Sequence, residues 1–547
     1  MKFEHADTFA AETILDADVC VIGSGAAGIT VATQLDGSGL SVLLLEAGGL
    51  EQNARSEQDS FAIAHSGVPY GNPIATRGRW YGGSTNQWFG RIAMPDPIDL
   101  AERTWVPYSG WPLTHATLMP WMKKAGSILE VPHFEKLAIE NWPDNPTIDT
   151  FVRTGGARLG VFLWAHGLYM GPRWQSRLAS SQNVRVLLHA TATEIVLTPY
   201  SNSVERLDIL SANGKRLHAR ARSYVLAAGG LENPRLLLAS QARSRHGVGN
   251  GRDLVGRFYM DHPRGEGTAT LDLRRMSDEQ IERLRLLGEK SRSAYGKVQL
   301  RLTFQEQLQR DEQLLNHSLH VHLVSDVHES ESLHSARRLR DHAKARSVND
   351  LRSLARDVAS VVRASPELAR YGLEKLFDRT RPSKLVVIDQ MEQEPDPDSR
   401  VTLDESHRDR FGLPNLRLDW RIGESTYRSQ RRMHQLFSEI LAKVGIDGLR
   451  SDVLERANER VRLVEMKHPT GTTRMSDSAD RGVVDRDGRV HGVNNLYVTG
   501  SSVFPTGGHF NPTLLIVALA ARLSDKLKAQ LRSSMNFALL INFAFVP

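Results

Sequence analysis

Cysteine is almost missing, with one in 547 residues. A single thiol excludes an internal disulfide, a Cys-rich zinc module and a CxxC redox pair. No apolar run approaches the ~20 residues that a membrane span needs. The start, MKFEHADTFAAETILDADV, carries acids and lacks the apolar stretch of an export signal. A cytoplasmic protein with no membrane span is therefore expected. Charge of one sign is not in great excess, since 69 Lys and Arg against 63 Asp and Glu leave +6. That balance fits a solvated, Arg-rich surface and no nucleic-acid partner. With 43 Gly, 23 Pro and 40% apolar residues, a collagenous, mucin-like or wholly disordered chain is excluded. Internal repeats and low-complexity tracts are absent. The length exceeds what one core supports, and roughly 150 residues per domain would suggest three or four domains.

The apolar pattern opens as β–α–β. A strand-like run from Asp18 to Ile22 meets Gly23-Ser24-Gly25-Ala26-Ala27-Gly28, and Ile29–Leu35 then has helical spacing. Gly37 and Gly39 break that helix, and Ser41–Glu46 reads as a second buried strand. Two more strand-to-glycine turns occur far downstream. One is Tyr224 to Gly229-Gly230, followed by a helical Pro234–Ser240; the other is Asn495 to Gly500-Ser501, followed by a helix from Pro512 to about Leu527. Turns spread over the whole chain imply one nucleotide-binding domain built from 15–100, 181–263 and 465–530. The remainder, 101–180 and 264–464, has a different character. Its strand-like runs are Lys297–Leu302 and Ser318–Val324, and an Arg-crowded helical stretch covers 332–379. That stretch reads as a solvated insert, a lid or a partner surface. The apolar tail over 531–547 can pack on the body, bridge two subunits or touch a membrane surface.

GxGxxG alone is a weak signal. Here it follows a strand, opens a helix and precedes an acid, Glu46, by about twenty residues. Gly23 allows the tight turn, Gly25 lets the backbone approach a pyrophosphate, and Gly28 allows close helix–strand packing. The helix N-terminus offers free N–H groups to phosphates. Glu46 can accept hydrogen bonds from ribose hydroxyls and would repel a 2′-phosphate. The motif does not choose between NAD and FAD.

Other segments bear on that choice. His468-Pro-Thr-Gly-Thr-Thr-Arg-Met475, Val493–Val498 and Phe504-Pro-Thr-Gly-Gly-His-Phe-Asn511-Pro-Thr-Leu-Leu515 resemble the C-terminal signature of the glucose–methanol–choline (GMC) flavoprotein oxidoreductases. Arg79-Trp-Tyr-Gly82-Gly-Ser-Thr-Asn-Gln-Trp88 is similar to that family's flavin-ring loop. Val255-Gly-Arg-Phe-Tyr-Met-Asp261-His262-Pro263 is similar to its link into the substrate domain, and Ala228–Leu238 also fits. The motifs keep the family's order over nearly the full chain, and the C-terminal segment looks nearest the pyranose-oxidase and gluconate-dehydrogenase side. The resemblance implies an α/β (α+β overall) architecture. A Rossmann-like FAD-binding domain is interleaved with a substrate domain built on an antiparallel sheet with helices.

The same resemblance implies FAD-dependent oxidation of an alcohol, on a sugar, glycoside or polyol, next to the flavin ring. The family's active-site pair maps onto His468 and Asn511. An imidazole suits removal of the hydroxyl proton near neutral pH while hydride leaves for flavin N5. Asn511 could hold the same hydroxyl; before Pro512 it also fits a helix N-cap with Pro at N1. The cofactor-binding residues implied are Gly23, Ser24, Gly25, Ala26, Ala27, Gly28, Glu46, Ala47, Arg79, Gly82, Gly83, Ser84, Asn86, Gln87, Trp88, Ala192, Ala228, Gly229, Gly500, Ser501, Asn511 and Thr513. His509 is a further imidazole that could assist at the substrate or serve as a loop residue, and Gln390 or Gln393 could line the pocket.

Two departures matter. Some relatives attach FAD through a His in the loop after the Gly-Gly pair, and Ser84-Thr-Asn-Gln-Trp88 has none, so non-covalent FAD is expected. Gly500 stands where many relatives have Asp. His320 and His322 fall on one strand face, but no third ligand at recognisable spacing accompanies them, so no metal is expected. Cys20 reads as a buried small hydrophobe. Rival readings are a flavin-containing lyase of the same fold, a non-catalytic FAD-binding interaction protein and an NAD-dependent dehydrogenase. The electron acceptor (oxygen, a quinone or a redox protein) and the oligomeric state are not legible.

Overall fold

The computed structural model describes residues 3–53, 63–71, 77–138, 156–325, 358–361, 381–456 and 459–544, apart from 168, 201, 286, 289–290 and 294–295. Side chains of 291–296 and 534–544 are likewise not described. Most of the Arg-rich stretch 332–379 therefore lies outside the described residues.

The first sheet runs in the order Phe3–His5, Val184–Leu188, Val42–Leu45, Thr13–Ile22, Arg216–Leu226, Val204–Ser211, Ala190–Leu197, with Leu496–Val498 also on Arg216–Leu226. Six of these strands pair in parallel, and Val204–Ser211 and Ala190–Leu197 complete an antiparallel meander. Val19–Ile22 and Val42–Leu45 are buried at every position, as expected of parallel strands covered on both faces. Helix Ala26–Leu35 covers one face and packs against the long C-terminal helix and against Met170–Ser180. Strand Phe3–His5 lies upstream of the expected start at residue 15, and Met170–Ser180 joins this layer from within 101–180.

The second sheet is antiparallel throughout, in the order Arg450–Ser451, Arg264–Asp272, Lys384–Met391, His317–Val324, Gly296–Phe304, Ala157–Trp164, Arg91–Ile92. The strand-like runs at 297–302 and 318–324 are both strands of it. Arg91–Ile92 thus leaves the first layer although its neighbours in sequence line the nucleotide side. Helix Glu424–Lys443 backs this sheet through Met433, Phe437, Ile440 and Leu441. A small third sheet holds Arg400–Arg408, Pro414–Trp420 and Ile63–Gly67.

A buried ion pair ties the loop after the short helix Pro97–Leu100 to the end of the second sheet. Arg103 Nη1 and Nη2 donate to Glu392 at 2.8 and 2.5 Å, with both side chains fully buried. Asn316 N–H adds a third bond to the same carboxylate at 2.9 Å. Near the C-terminus the helix is longer than the sequence pattern suggests, Thr513–Ala544 instead of ending near Leu527. No Gly or Pro interrupts that stretch, so nothing stops propagation into the apolar tail. Among the described residues, no helix is long and apolar enough to cross a membrane.

Candidate active site

A cavity of about 700 Å³ runs between the two large sheets. One end is lined by Gly23, Ser24, Gly25, Ala26 and Ala27 where the strand Thr13–Ile22 turns into its helix. Gly23 has a φ of +99°, which a side chain would strain. A Cβ on Gly28 would fall 1.8 Å from Gly23 O, whereas one on Gly25 would meet nothing within 4 Å. The first glycine pair therefore closes helix onto strand, and Gly25 leaves bare backbone facing open space. Glu46 stands at the end of the neighbouring strand, 5% exposed. Its carboxylate accepts from Ser24 Oγ at 2.5 Å, Ser24 N at 3.2 Å and Gly48 N at 2.8 Å.

The other two glycine turns arrive at the same cavity. Asn233 joins them, with Oδ1 accepting from Ala228 N at 2.8 Å and Nδ2 donating to Ser502 Oγ at 2.9 Å. Ala47, Arg79, Gly83, Ser84, Gln87, Trp88, Ala192, Ala228, Gly229, Gly500, Ser501, Asn511 and Thr513 all line the space. Arg79 is fixed by Thr191 Oγ1 at 2.7 Å and lies over Phe411.

His468 and Asn511 line the far end, beside the second sheet. The His468 backbone N–H donates to Asp261 Oδ2 at 3.0 Å, and Met466 N and His262 N donate to Asp261 Oδ1 at 3.0 and 2.7 Å. Burial pushes the Asp261 carboxyl up to about 7, against these three N–H groups that favour its charge. His468 Nδ1 lies 2.9 Å from His262 Nδ1. Burial, with His262, Arg91 and Arg301 nearby, holds the His468 imidazole well below its ordinary pKa. Asn511 Oδ1 accepts from Gln390 Nε2 at 3.4 Å, and Gln390 Oε1 in turn accepts from the buried Arg301 at 2.6 Å.

Several expected residues sit elsewhere. Gly28 packs behind the turn and does not line the cavity. Gly82 and Asn86 support the loop from outside it, Asn86 Nδ2 donating to Tyr81 O at 2.8 Å. His509 is 2% exposed and faces Asp99 and Asp96 at 3.7 and 3.8 Å, away from the cavity. Gln393 serves Tyr259 O, Arg421 O and Trp420 Nε1, so neither it nor Gln390 lines the space. Ile516 N–H donates to Pro512 O at 3.0 Å, which puts Pro512 at the helix cap and Asn511 one residue outside. Sequence reasoning missed Arg91 and Arg264, which line the wall beside His320 and His322. The alternation in the strand His317–Val324 marked the two imidazoles, but nothing local marked the arginines.

Residues 395–520 match the sequence family described as GMC oxidoreductase, and residues 18–248 match the FAD dependent oxidoreductase family. The chain therefore carries a GMC oxidoreductase C-terminal domain and an FAD-dependent oxidoreductase domain. Among curated proteins it is 24% identical to the fructose dehydrogenase large subunit of Gluconobacter japonicus, over 61% of this chain and 52% of that one. It is 25% identical to paromamine 6'-oxidase of Streptomyces fradiae, over 92% and 90% of the two chains. The fold is shared with a crystal structure of formate oxidase at a TM-score of 0.58, 17% identity and coverage of 96% and 100%. FAD is the cofactor of the FAD-dependent oxidoreductase domain, and the residues fit it. Bare backbone at Gly25 and a free helix N-terminus suit the pyrophosphate, and Glu46 suits ribose hydroxyls. Trp88 and His468 line the same space.

Proposed function

We propose that this chain oxidises a CH–OH group on a sugar, glycoside or polyol, with His468 as proton acceptor and Asn511 as the holder of the hydroxyl. The observation that carries this reading is that both side chains line the far end of the cavity whose near end is the glycine cradle. When bound, FAD supplies the acceptor for the hydride that leaves the carbinol carbon. Every other task falls to the chain. His468 is neutral at working pH because burial and the nearby cations disfavour its charged form. It can therefore take the hydroxyl proton, and the alkoxide formed beside it offsets the penalty on the imidazolium. Asn511 accepts from Gln390 through Oδ1, which leaves its NH₂ to donate to the same substrate oxygen. One oxygen thus meets an acceptor that takes its proton and a donor that holds its lone pair.

The substrate class rests on relatives whose names specify fructose and paromamine. Those relatives are a dehydrogenase and an oxidase, which favours redox turnover over a lyase or a non-catalytic binder. Non-covalent attachment of FAD is supported by the loop Ser84–Trp88, where Ser, Thr, Asn, Gln and Trp offer no imidazole to the ring. A cytoplasmic setting is supported by the lone, buried Cys20, whose thiol burial pushes far up from its ordinary pKa. The test is anaerobic mixing of the holoenzyme with sugars, glycosides, polyols and aliphatic alcohols while the flavin band is followed. Bleaching is expected with at least one sugar or polyol, and His468→Ala should slow it by about 10²–10⁴-fold. Normal bleaching in His468→Ala would overturn the mechanism.

A further inference from the structure

Buried groups behind His468 bear on which of its two ring nitrogens carries the proton. Gly507 O is only an acceptor, so His262 Nε2, 3.2 Å away, must be the donor in that contact. His262 is 1% exposed, and no carboxylate lies within hydrogen-bond reach of its ring among the described residues. It is neutral there, and burial indeed pushes its imidazole down to about 4. A neutral ring with its proton on Nε2 has a lone pair on Nδ1. The 2.9 Å contact between the two Nδ1 atoms then permits one arrangement only, donation from His468 Nδ1–H into His262. Two protons cannot share that gap, and without one the two lone pairs would repel.

We propose that His262 is a positioning residue which holds His468 in its Nδ1–H tautomer, so that the unprotonated Nε2 is the nitrogen presented to the cavity. This rests on the reading of His468 as proton acceptor. The relay is Gly507 O, His262, His468, and it ends on the substrate hydroxyl. The backbone is prepared for it from the other side. Asp261 collects the N–H groups of His262, Met466 and His468, and Lys467, between the last two, adopts a φ of +66° that non-glycine residues rarely take. One buried carboxylate thus sets both backbones, and the two imidazoles meet nearly edge to face with an interplanar angle of 87°. Without the acceptor on His262, the His468 proton is free to move to Nε2. The cavity would then face an N–H where the substrate needs a lone pair.

Two variants and one spectroscopic measurement test this. His262→Phe keeps a ring of similar size and removes the acceptor. His262→Asn keeps an acceptor oxygen near the position of Nδ1. In His262→Phe, kcat should fall by about 10²-fold, the order of a misplaced general base, with KM and the bound-flavin spectrum little changed. His262→Asn should restore most of that loss. Ring ¹⁵N shifts of selectively labelled His468, read in the parent chain with and without FAD, should show a protonated Nδ1 and an unprotonated Nε2. In His262→Phe the proton should appear on Nε2. Parent spectra with the proton on Nε2, or an unchanged kcat in His262→Phe, would overturn the proposal. The ¹⁵N readout does not depend on turnover, so an enzyme indifferent to His468→Ala would sink the mechanism while leaving the tautomer assignment to stand or fall by itself. Should the phenylalanine variant not fold, the parent spectra and His262→Asn still decide.

Discussion

Gly25 and Gly28 stand three residues apart in the same turn, yet replacing each by alanine should give different defects. At Gly28 the new methyl carbon would lie 1.8 Å from Gly23 O and 3.0 Å from Gly23 C, both backbone atoms that cannot rotate away. Ordinary contact needs more than 3 Å, so the helix Ala26–Leu35 must lift off its strand by more than an ångström. Overpacking of this kind costs about 1–3 kcal/mol, and it is borne by the chain with or without FAD. At Gly25 the backbone is extended, φ −73° and ψ −167°, and a methyl group meets no protein atom within 4 Å. The apo chain should tolerate it with a melting temperature close to the parent's. The methyl instead occupies the space where the pyrophosphate approaches, so the same ~1–3 kcal/mol of overlap appears in FAD affinity alone. At 1.4 kcal/mol per tenfold, that is about 5- to 150-fold weaker binding. The assay pairs thermal melting of apo-protein with fluorescence titration of FAD. Gly28→Ala should fall in both, Gly25→Ala in the second only. If Gly25→Ala melted as early as Gly28→Ala, or bound FAD as the parent does, the cradle described above would be wrong.

Other perturbations have equally defined outcomes. Arg103→Met leaves the fully buried Glu392 carboxyl without its guanidinium partner, and denaturant unfolding should show a loss of about 3–5 kcal/mol; the Arg103→Met, Glu392→Met double variant should recover part of it. Because burial and neighbouring cations depress His468, the neutral base persists as pH falls through 6.5, and the acid limb of kcat/KM should lie below that pH. Removing a cation raises a histidine pKa, so Arg91→Met should move this limb toward neutrality, and an unmoved limb would dissociate His468 from the profile. Acid precipitation should leave the flavin in the supernatant, and a yellow pellet would overturn non-covalent attachment.

What was legible in the sequence was what chemistry places close along the chain. The strand, the three glycines and Glu46 carry their meaning within about thirty residues, because a tight turn, a helix start and a parallel strand are set by local torsions and apolar period. His468 and Asn511 were legible only through the company of their motifs. The limits had equally local causes. The C-terminal helix ran on because no breaker residue stops it, and Asn511 fell outside the cap because Pro512 supplied the first helical carbonyl.

The sequence by itself determined the cofactor fold, since backbone geometry at a glycine turn belongs to that turn alone. Tertiary structure decided which groups meet His468. His262 lies 206 residues away from it along the chain, and Arg91 and Arg301 arrive on two separate strands of the second sheet. His509 shows the converse, a motif imidazole turned from the cavity by two aspartates more than 400 residues upstream. The order in which strands join a sheet, and so which side chains share a cavity wall, is an outcome of packing the whole chain, and no short stretch of it carries that information.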